Sequence, residues 1–247
     1  KRFVKQLVTS RVYQQASVVS PEALMKDPEN ILFARTSRIR LPAEIVRDVA
    51  LDTSGLLVKK IGGPSVRPWM PDGVWDETSK YGDLRGYKPA TNEDRYRRSM
   101  YTIWKRTAGP PTMLLFDAPN RETCTVKRSR TNTPLQALAL LNEITFVEAA
   151  QGFARRMLTE GGVVPSDRIS FGFQLALGRK PTKEELQTLE DGLAADRKFF
   201  HSDTHAAEQF SKVGVVPAPK AVPLSDYAAY TLVANVLLNL DEFIMRE

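Results

Sequence analysis

A chain of 247 residues, 42% hydrophobic and 26% charged, is long enough to bury a substantial core as one large domain or a pair of small ones. Its formal net charge of +6 favours acidic partners such as nucleic acid, anionic glycans or a membrane surface, without choosing among them. The single cysteine, Cys124, excludes an internal disulfide, a four-thiolate metal site and a C-x-x-C-H haem attachment within the chain, and no apolar run reaches the roughly eighteen residues of a membrane span.

The opening "KRFVKQLVTS" has neither an initiator methionine nor a signal-peptide layout, and it reads as the interior of a longer polypeptide. Phe3, Val4, Leu7 and Val8 fall at helical spacing and predict a helix ending near Thr9. Ser20 as N-cap and Pro21 at the first helical position start a second helix. A third starts at Pro42, with an apolar stripe of Ile45, Val46, Val49, Ala50, Leu56 and Leu57 that ends at Gly62-Gly63-Pro64.

Residues 62–133 read as a long irregular region, because glycines, prolines and aromatics replace any sustained period. Within it, "RYRRSMYTIWKRT" fits a helix through Tyr96, Met100, Ile103 and Thr107. Met100 to Trp104 equally fits a short strand paired with 112–116, which would be the one short β-hairpin.

Thr133, Pro134 and Gln136 are placed as N-cap, N1 and N3 of a capping box. The helix they start sends its leucines inward along a stripe from Leu135 and Leu138 to Phe153 and Met157. Asn142 interrupts the stripe, as a buried hydrogen-bonding position or as a break into a second helix. Ser166 opens a further helix that Gly178 ends, and Thr182 with Glu185 caps another running to about Phe200. The proline-rich stretch 211–225 reads as an extended linker, after which Ser225 caps a final, mostly buried helix. The expected fold is a single mainly α domain over 1–247, with capped helices around one core and long irregular loops.

Four groups of residues carry candidate chemistry. Arg121, Lys127, Arg128 and Arg130 precede the helix N-terminus at Thr133, where guanidinium forks, backbone N–H groups and the helix dipole suit a phosphate, a sulfate or a sugar carboxylate. The competing reading has Asp117, Asn120 and Glu122 pairing with those cations to pin a loop, with Asp117 and Glu122 also the weak candidates for a catalytic acid. His201 and His205 are four apart, a spacing that suits metal ligands, but no zincin glutamate accompanies them and solvated side chains fit as well. Cys124 has no visible base partner for nucleophilic catalysis.

Arg95, Arg97, Arg98, Lys105 and Arg106, interleaved with Tyr96, Tyr101 and Trp104, suit nucleic-acid stacking, or an amphipathic element with aromatics inward and arginines outward. Trp69, Trp75, Tyr81 and Tyr87 suit glycan stacking if exposed, and a loop-covered core if buried.

The stretch "FDAPNRETCTVKRSRTNTPLQALALLNE" also carries a resemblance, together with "RLPAEIVRD" (40–48), "RRSMYTIWKRT" (97–107), "LALGRKPTKEEL" (175–186) and "LLNLDEFIMRE" (237–247). Numbered in chain order, 40–48, 97–107, 116–143, 175–186 and 237–247, the five stretches resemble the planctomycete-specific domain of unknown function, family 1553. The resemblance implies the C-terminal part of a large exported protein, in the periplasm or cell envelope, downstream of cytochrome c-like domains that would carry haem c. It transfers no catalytic residues. The expected function is a non-catalytic assembly or recognition module that binds the upstream domains of its own polypeptide and an anionic envelope component or glycan. The alternatives are an enzyme domain acting on an anionic or sulfated glycan, coupled to upstream haem, and a nucleic-acid-binding module, which an exported setting disfavours. No cofactor is expected within the chain itself.

Overall fold

The computed structural model describes residues 1–76, 86–105 and 107–246. The fold is mainly α, and the chain gathers into two compact units: Lys1–Leu41 with the chain end from Ile244, and Pro42–Phe243.

The first unit holds α1 (Arg2–Val8), α2 (Pro21–Lys26) and β1 (Ile39–Arg40), which pairs antiparallel with β2 (Met245–Arg246). Ser20 caps α2 as expected, its hydroxyl accepting the Ala23 N–H at 3.2 Å. Asp27 follows and accepts the N–H groups of Leu32 and Ile31 at 2.8 Å each, which hold its carboxyl below the usual range. The Arg246 guanidinium lies 4.0 Å over the Tyr13 ring. The two strands are distant segments and not the expected hairpin.

The second unit contains α3 (Ala43–Thr53), α4 (Pro111–Leu115), α5 (Pro134–Asn142), α6 (Ile144–Glu160), α7 (Pro165–Leu177), α8 (Lys183–Ser202), α9 (Thr204–Ser211), α10 (Leu224–Leu238) and, up to Phe243, the short α11 (Asp241–Ile244). Helices α6 and α10 pack on each other at its centre, with Phe146, Phe153 and Met157 from α6 and Tyr227, Tyr230 and Leu237 from α10 all excluded from solvent. Helix α10 also contacts α5, α7, α8 and α9, which is why it is apolar all round. Gly152 lets α6 approach the end of α3, since a Cβ there would lie 3.0 Å from the Ser54 carbonyl oxygen.

Several elements depart from the sequence reading for visible reasons. Helix α3 stops at Thr53 because Gly55 turns the chain at φ +76°, and the N–H groups of Leu56 and Leu57 both return to the Leu51 carbonyl. The 100–104 and 112–116 strands do not form. Residues 93–96 and 99–101 are single 3-10 turns, and Pro111 opens α4 instead.

The stripe through Asn142 breaks into two helices: Glu143 caps α6 by accepting the N–H groups of Thr145 and Phe146, at 2.9 and 3.3 Å. Leu135 and Leu138 on α5 face solvent, at 62% and 56% exposure, so only part of that stripe turns inward. Ser225 lies inside α10 and is buried, because the helix begins at Leu224 directly after Pro223. The capping box of Thr182 and Glu185 forms in full, and Arg179 pulls the Glu185 carboxyl down to about 2.

Candidate functional site

The loop that precedes α5 is closed at its base by Asp117. Both Asp117 carboxylate oxygens accept from Thr131, whose N–H donates at 2.6 Å and whose hydroxyl lies within 3.1 Å of each. Gln136 completes the clamp, its amide donating to the Leu115 carbonyl at 2.9 Å and to the Thr131 hydroxyl at 3.1 Å. The buried Gln136 therefore spends its side chain on the loop. Thr133 accepts the Gln136 N–H, and the expected capping box is half made. Glu122 donates its backbone N–H to Asn120 Oδ1 in a two-residue turn, and its side chain is exposed.

The cations of the loop meet a partner far away in sequence. Arg128 donates to Glu44 Oε2 at 2.8 Å, and Arg121 Nη2 lies 4.0 Å from Glu44 Oε1. Glu44 belongs to the first turn of α3, where a carboxylate also suits the helix dipole. Arg121 lies 4.3 Å over the Trp104 ring, and Trp104 Nε1 donates to the Asn120 carbonyl at 3.1 Å. Two of the four expected anion-binding cations are thus tied to α3 and an indole. The side chains of Lys127 and Arg130 are exposed and make no ion pair among the described residues. Cys124 is a free, exposed thiol in the same loop.

The basic-aromatic stretch turns two of its arginines inward. Arg95 makes a two-point ion pair with Glu148 of α6, and Glu148 also accepts the Val215 N–H at 3.2 Å. Arg97 is 2% exposed, and its guanidinium donates to the carbonyls of Lys60, Gly62 and Pro64 while lying 4.0 Å from the Tyr101 ring. Arg47 of α3 donates to the carbonyls of Arg95 and Arg97 and to the Ser99 hydroxyl, while Asp48 accepts from the Ser99 N–H and hydroxyl at 2.7 Å each. Burial holds the Arg47 guanidinium below its ordinary value. Arg98 alone of the three neighbouring arginines faces solvent, and Arg106 lies outside the described residues.

Two of the aromatic candidates, Trp75 and Tyr87, pack together beneath the loop surface. Trp75 is 1% exposed and meets Tyr87 edge-to-face at 5.0 Å, while Lys105 lies 4.4 Å over its ring. Tyr87 donates to the Pro68 carbonyl at 2.6 Å, and burial pushes its phenol up to about 12. Trp69 is half-buried beside Arg47, Met113 and Glu143. Tyr81 lies outside the described residues. His201 contacts the Arg197 carbonyl at 2.7 Å and His205 contacts Gln209, both on the surface, while Asp203 between them caps α9. Among the described residues no cluster of three or more His, Cys, Asp or Glu is arranged to hold a metal ion.

The stretches that carry the family resemblance meet one another in space. Glu44, Arg47 and Asp48 of the first join Arg97 and Ser99 of the second and Arg121 and Arg128 of the third. Arg179 of the fourth is shared between Glu185 and Glu242 of the fourth and fifth, at 2.8 and 2.7 Å. Sequence reasoning missed Glu44, Glu148 and Arg47, because the signal is an isolated charge on an apolar helix face, which local pattern cannot pair.

No helix among the described residues is long and apolar enough to cross a membrane. No curated protein and no solved structure matches the chain. A family model, described as PSD1, protein of unknown function (DUF1553), matches residues 1–193. With that match covering most of the chain and its motifs meeting at these joints, the chain belongs to the DUF1553 family.

Proposed function

We propose that the chain is a non-catalytic assembly and recognition module of an exported, cytochrome-associated protein, docking on the upstream domains of its own polypeptide and meeting an anionic envelope component or glycan. The observation that carries the reading is the apolar face of α1. Phe3, Val4 and Leu7 are 70%, 58% and 50% exposed on a helix that buries none of its residues. Covering such side chains stabilises by about 1.5–3 kcal/mol each, so this face gains from a further polypeptide surface.

Lys127 and Arg130, outward and without an ion pair among the described residues, supply positive charge for the anionic component. The rival reading, an enzyme acting on a sulfated glycan, would draw its acid from this loop, where the Asp117 carboxylate is committed to Thr131 and the Glu122 side chain lies exposed.

Hydrogen exchange on the full natural polypeptide tests the assembly role. The α1 amides are expected to be protected there, and a Phe3→Asp, Leu7→Asp double substitution should release that protection. Equal, fast exchange in the natural polypeptide and in this chain alone would overturn it. A Soret band in the native protein checks the cytochrome link, and a colourless parent would remove it.

A further inference from the structure

A recess of about 310 Å³ lies between the 60–67 turn and residues 88–97, at the lower end of the roughly 300–1,000 Å³ of small-ligand sites. Its lining includes Lys60, Arg67, Lys88 and Arg97, against one carboxylate among the described residues, that of Asp94. None of the four cations is ion-paired among the described residues.

Arg97 is the most telling of them. It is 2% exposed, its guanidinium donates to the neutral carbonyls of Lys60, Gly62 and Pro64 beside the Tyr101 ring, and its Nε–H has no hydrogen-bond partner among the described residues. A guanidinium taken out of water without a carboxylate leaves its charge uncompensated, and that charge lines this recess.

The walls are held before any ligand arrives. Gly62 and Gly63 turn the chain at φ +80° and +91°, and the Gly62 N–H donates to the Tyr101 hydroxyl at 2.8 Å. Val66 N–H bonds the Tyr101 carbonyl at 2.8 Å, and Ala90 N–H bonds the Arg67 carbonyl at 2.8 Å, fixing both sides of the opening.

We infer that this recess binds a tetrahedral oxyanion, either free sulfate or phosphate or the sulfate ester of a sugar, with Arg97 as fixed charge and Arg67 and Lys88 closing on it. Several cations on different sides of one small space suit a compact multiply charged oxyanion. An extended nucleic-acid backbone would need an open groove instead. The site stands independently of the assembly role, since α1 contributes nothing to it.

The test is isothermal titration of the chain with sodium sulfate, sodium phosphate, galactose 6-sulfate and galactose, at ionic strength held constant with chloride. Saturable binding of the anions is expected, weakened about tenfold by Lys88→Gln or Arg67→Gln. Lys127→Gln with Arg130→Gln should leave it unchanged. Galactose 6-sulfate binding well above inorganic sulfate, with galactose silent, assigns a sulfate ester, and equal affinities assign the free ion. No saturable binding, or binding indifferent to Lys88→Gln and Arg67→Gln in proteins whose circular dichroism and melting match the parent, overturns the proposal.

Discussion

Arg95 and Glu148 face each other as a two-point ion pair inside the second unit, with Nε to Oε2 at 3.0 Å, Nη2 to Oε1 at 2.6 Å and Glu148 fully buried. Glu148 comes from the central helix α6, so the pair ties the irregular 93–97 segment to the core. It also holds the 214–216 stretch through the Val215 N–H. Breaking a buried pair by removing one partner leaves the other charge uncompensated, at about 3–5 kcal/mol. Glu148→Ala is expected to lower the urea-unfolding free energy by that amount. A loss below about 1 kcal/mol would show that the pair is not shielded from water.

Glu44 gathers Arg121 and Arg128 in a different setting, since both arginine side chains are more than two-fifths exposed, at 46% and 42%. Exposed pairs contribute only about 0–1 kcal/mol. Glu44→Ala should therefore change stability little while freeing the loop. Trypsin under native conditions should then cut at Arg121, Lys127, Arg128 or Arg130 several times faster than in the parent chain. An unchanged cleavage rate would mean that Asp117 and Thr131 hold the loop without help from α3.

The contrast between these two glutamates explains how far the sequence could be read. Helix starts at Ser20, Pro134 and Thr182 were legible because capping acts over three residues, within reach of local pattern. The Glu143 break was half legible, since a polar residue at Asn142 fits a buried hydrogen-bonding position as well as a break into a second helix. The pairing of Arg128 with Glu44 spans 84 residues, and that of Arg95 with Glu148 spans 53, so no periodicity marks them.

The loop's dense charge suggested a ligand because its counter-charge sits on another helix. Both sequence readings of 95–98 turn the arginines outward, on the ordinary cost of burying charge; the carboxylate of Glu148 offsets that cost at Arg95, and at Arg97 the carbonyls of 60–64 satisfy the Nη donors without neutralising the charge. The recess at Lys60, Arg67 and Lys88 was hidden for the same reason, being assembled from two separated segments, 60–67 and 88–97.

Glu143 gives the fold a dependence on pH. Burial pushes its carboxyl up to about 7 from an ordinary 4.5, against the opposing hydrogen bonds from Thr145 and Phe146 and the charge of Arg47. Between those values the folded carboxyl keeps a proton that the unfolded chain has lost. Stability from this group is therefore full below about 4.5, falls as pH rises towards 7, and is level above it. The side chain is half-buried, so the change expected is on the order of 1–2 kcal/mol. Glu143→Gln keeps an acceptor for the α6 cap and should remove this slope in melting temperature between pH 4.5 and 7. A variant whose slope matches the parent's would assign the dependence to another group.

Gly214 sits where the 212–223 connection presses on the buried pair. Its φ of +76° disfavours any side chain, and a Cβ placed there would collide with Cγ of Glu148. Gly214→Ala thus combines backbone strain with displacement of a charge that has nowhere else to go, and a loss of about 2–4 kcal/mol is expected. Gly178 gives the matched comparison, because its φ is +73° but nothing lies within 4 Å of its Cβ position. Gly178→Ala should show the backbone part alone, about 1 kcal/mol. If urea denaturation gives equal losses for the two variants, Glu148 yields to the intruding methyl group and the ion pair is not rigid. If Gly214→Ala costs more, the excess measures how firmly Arg95 fixes Glu148.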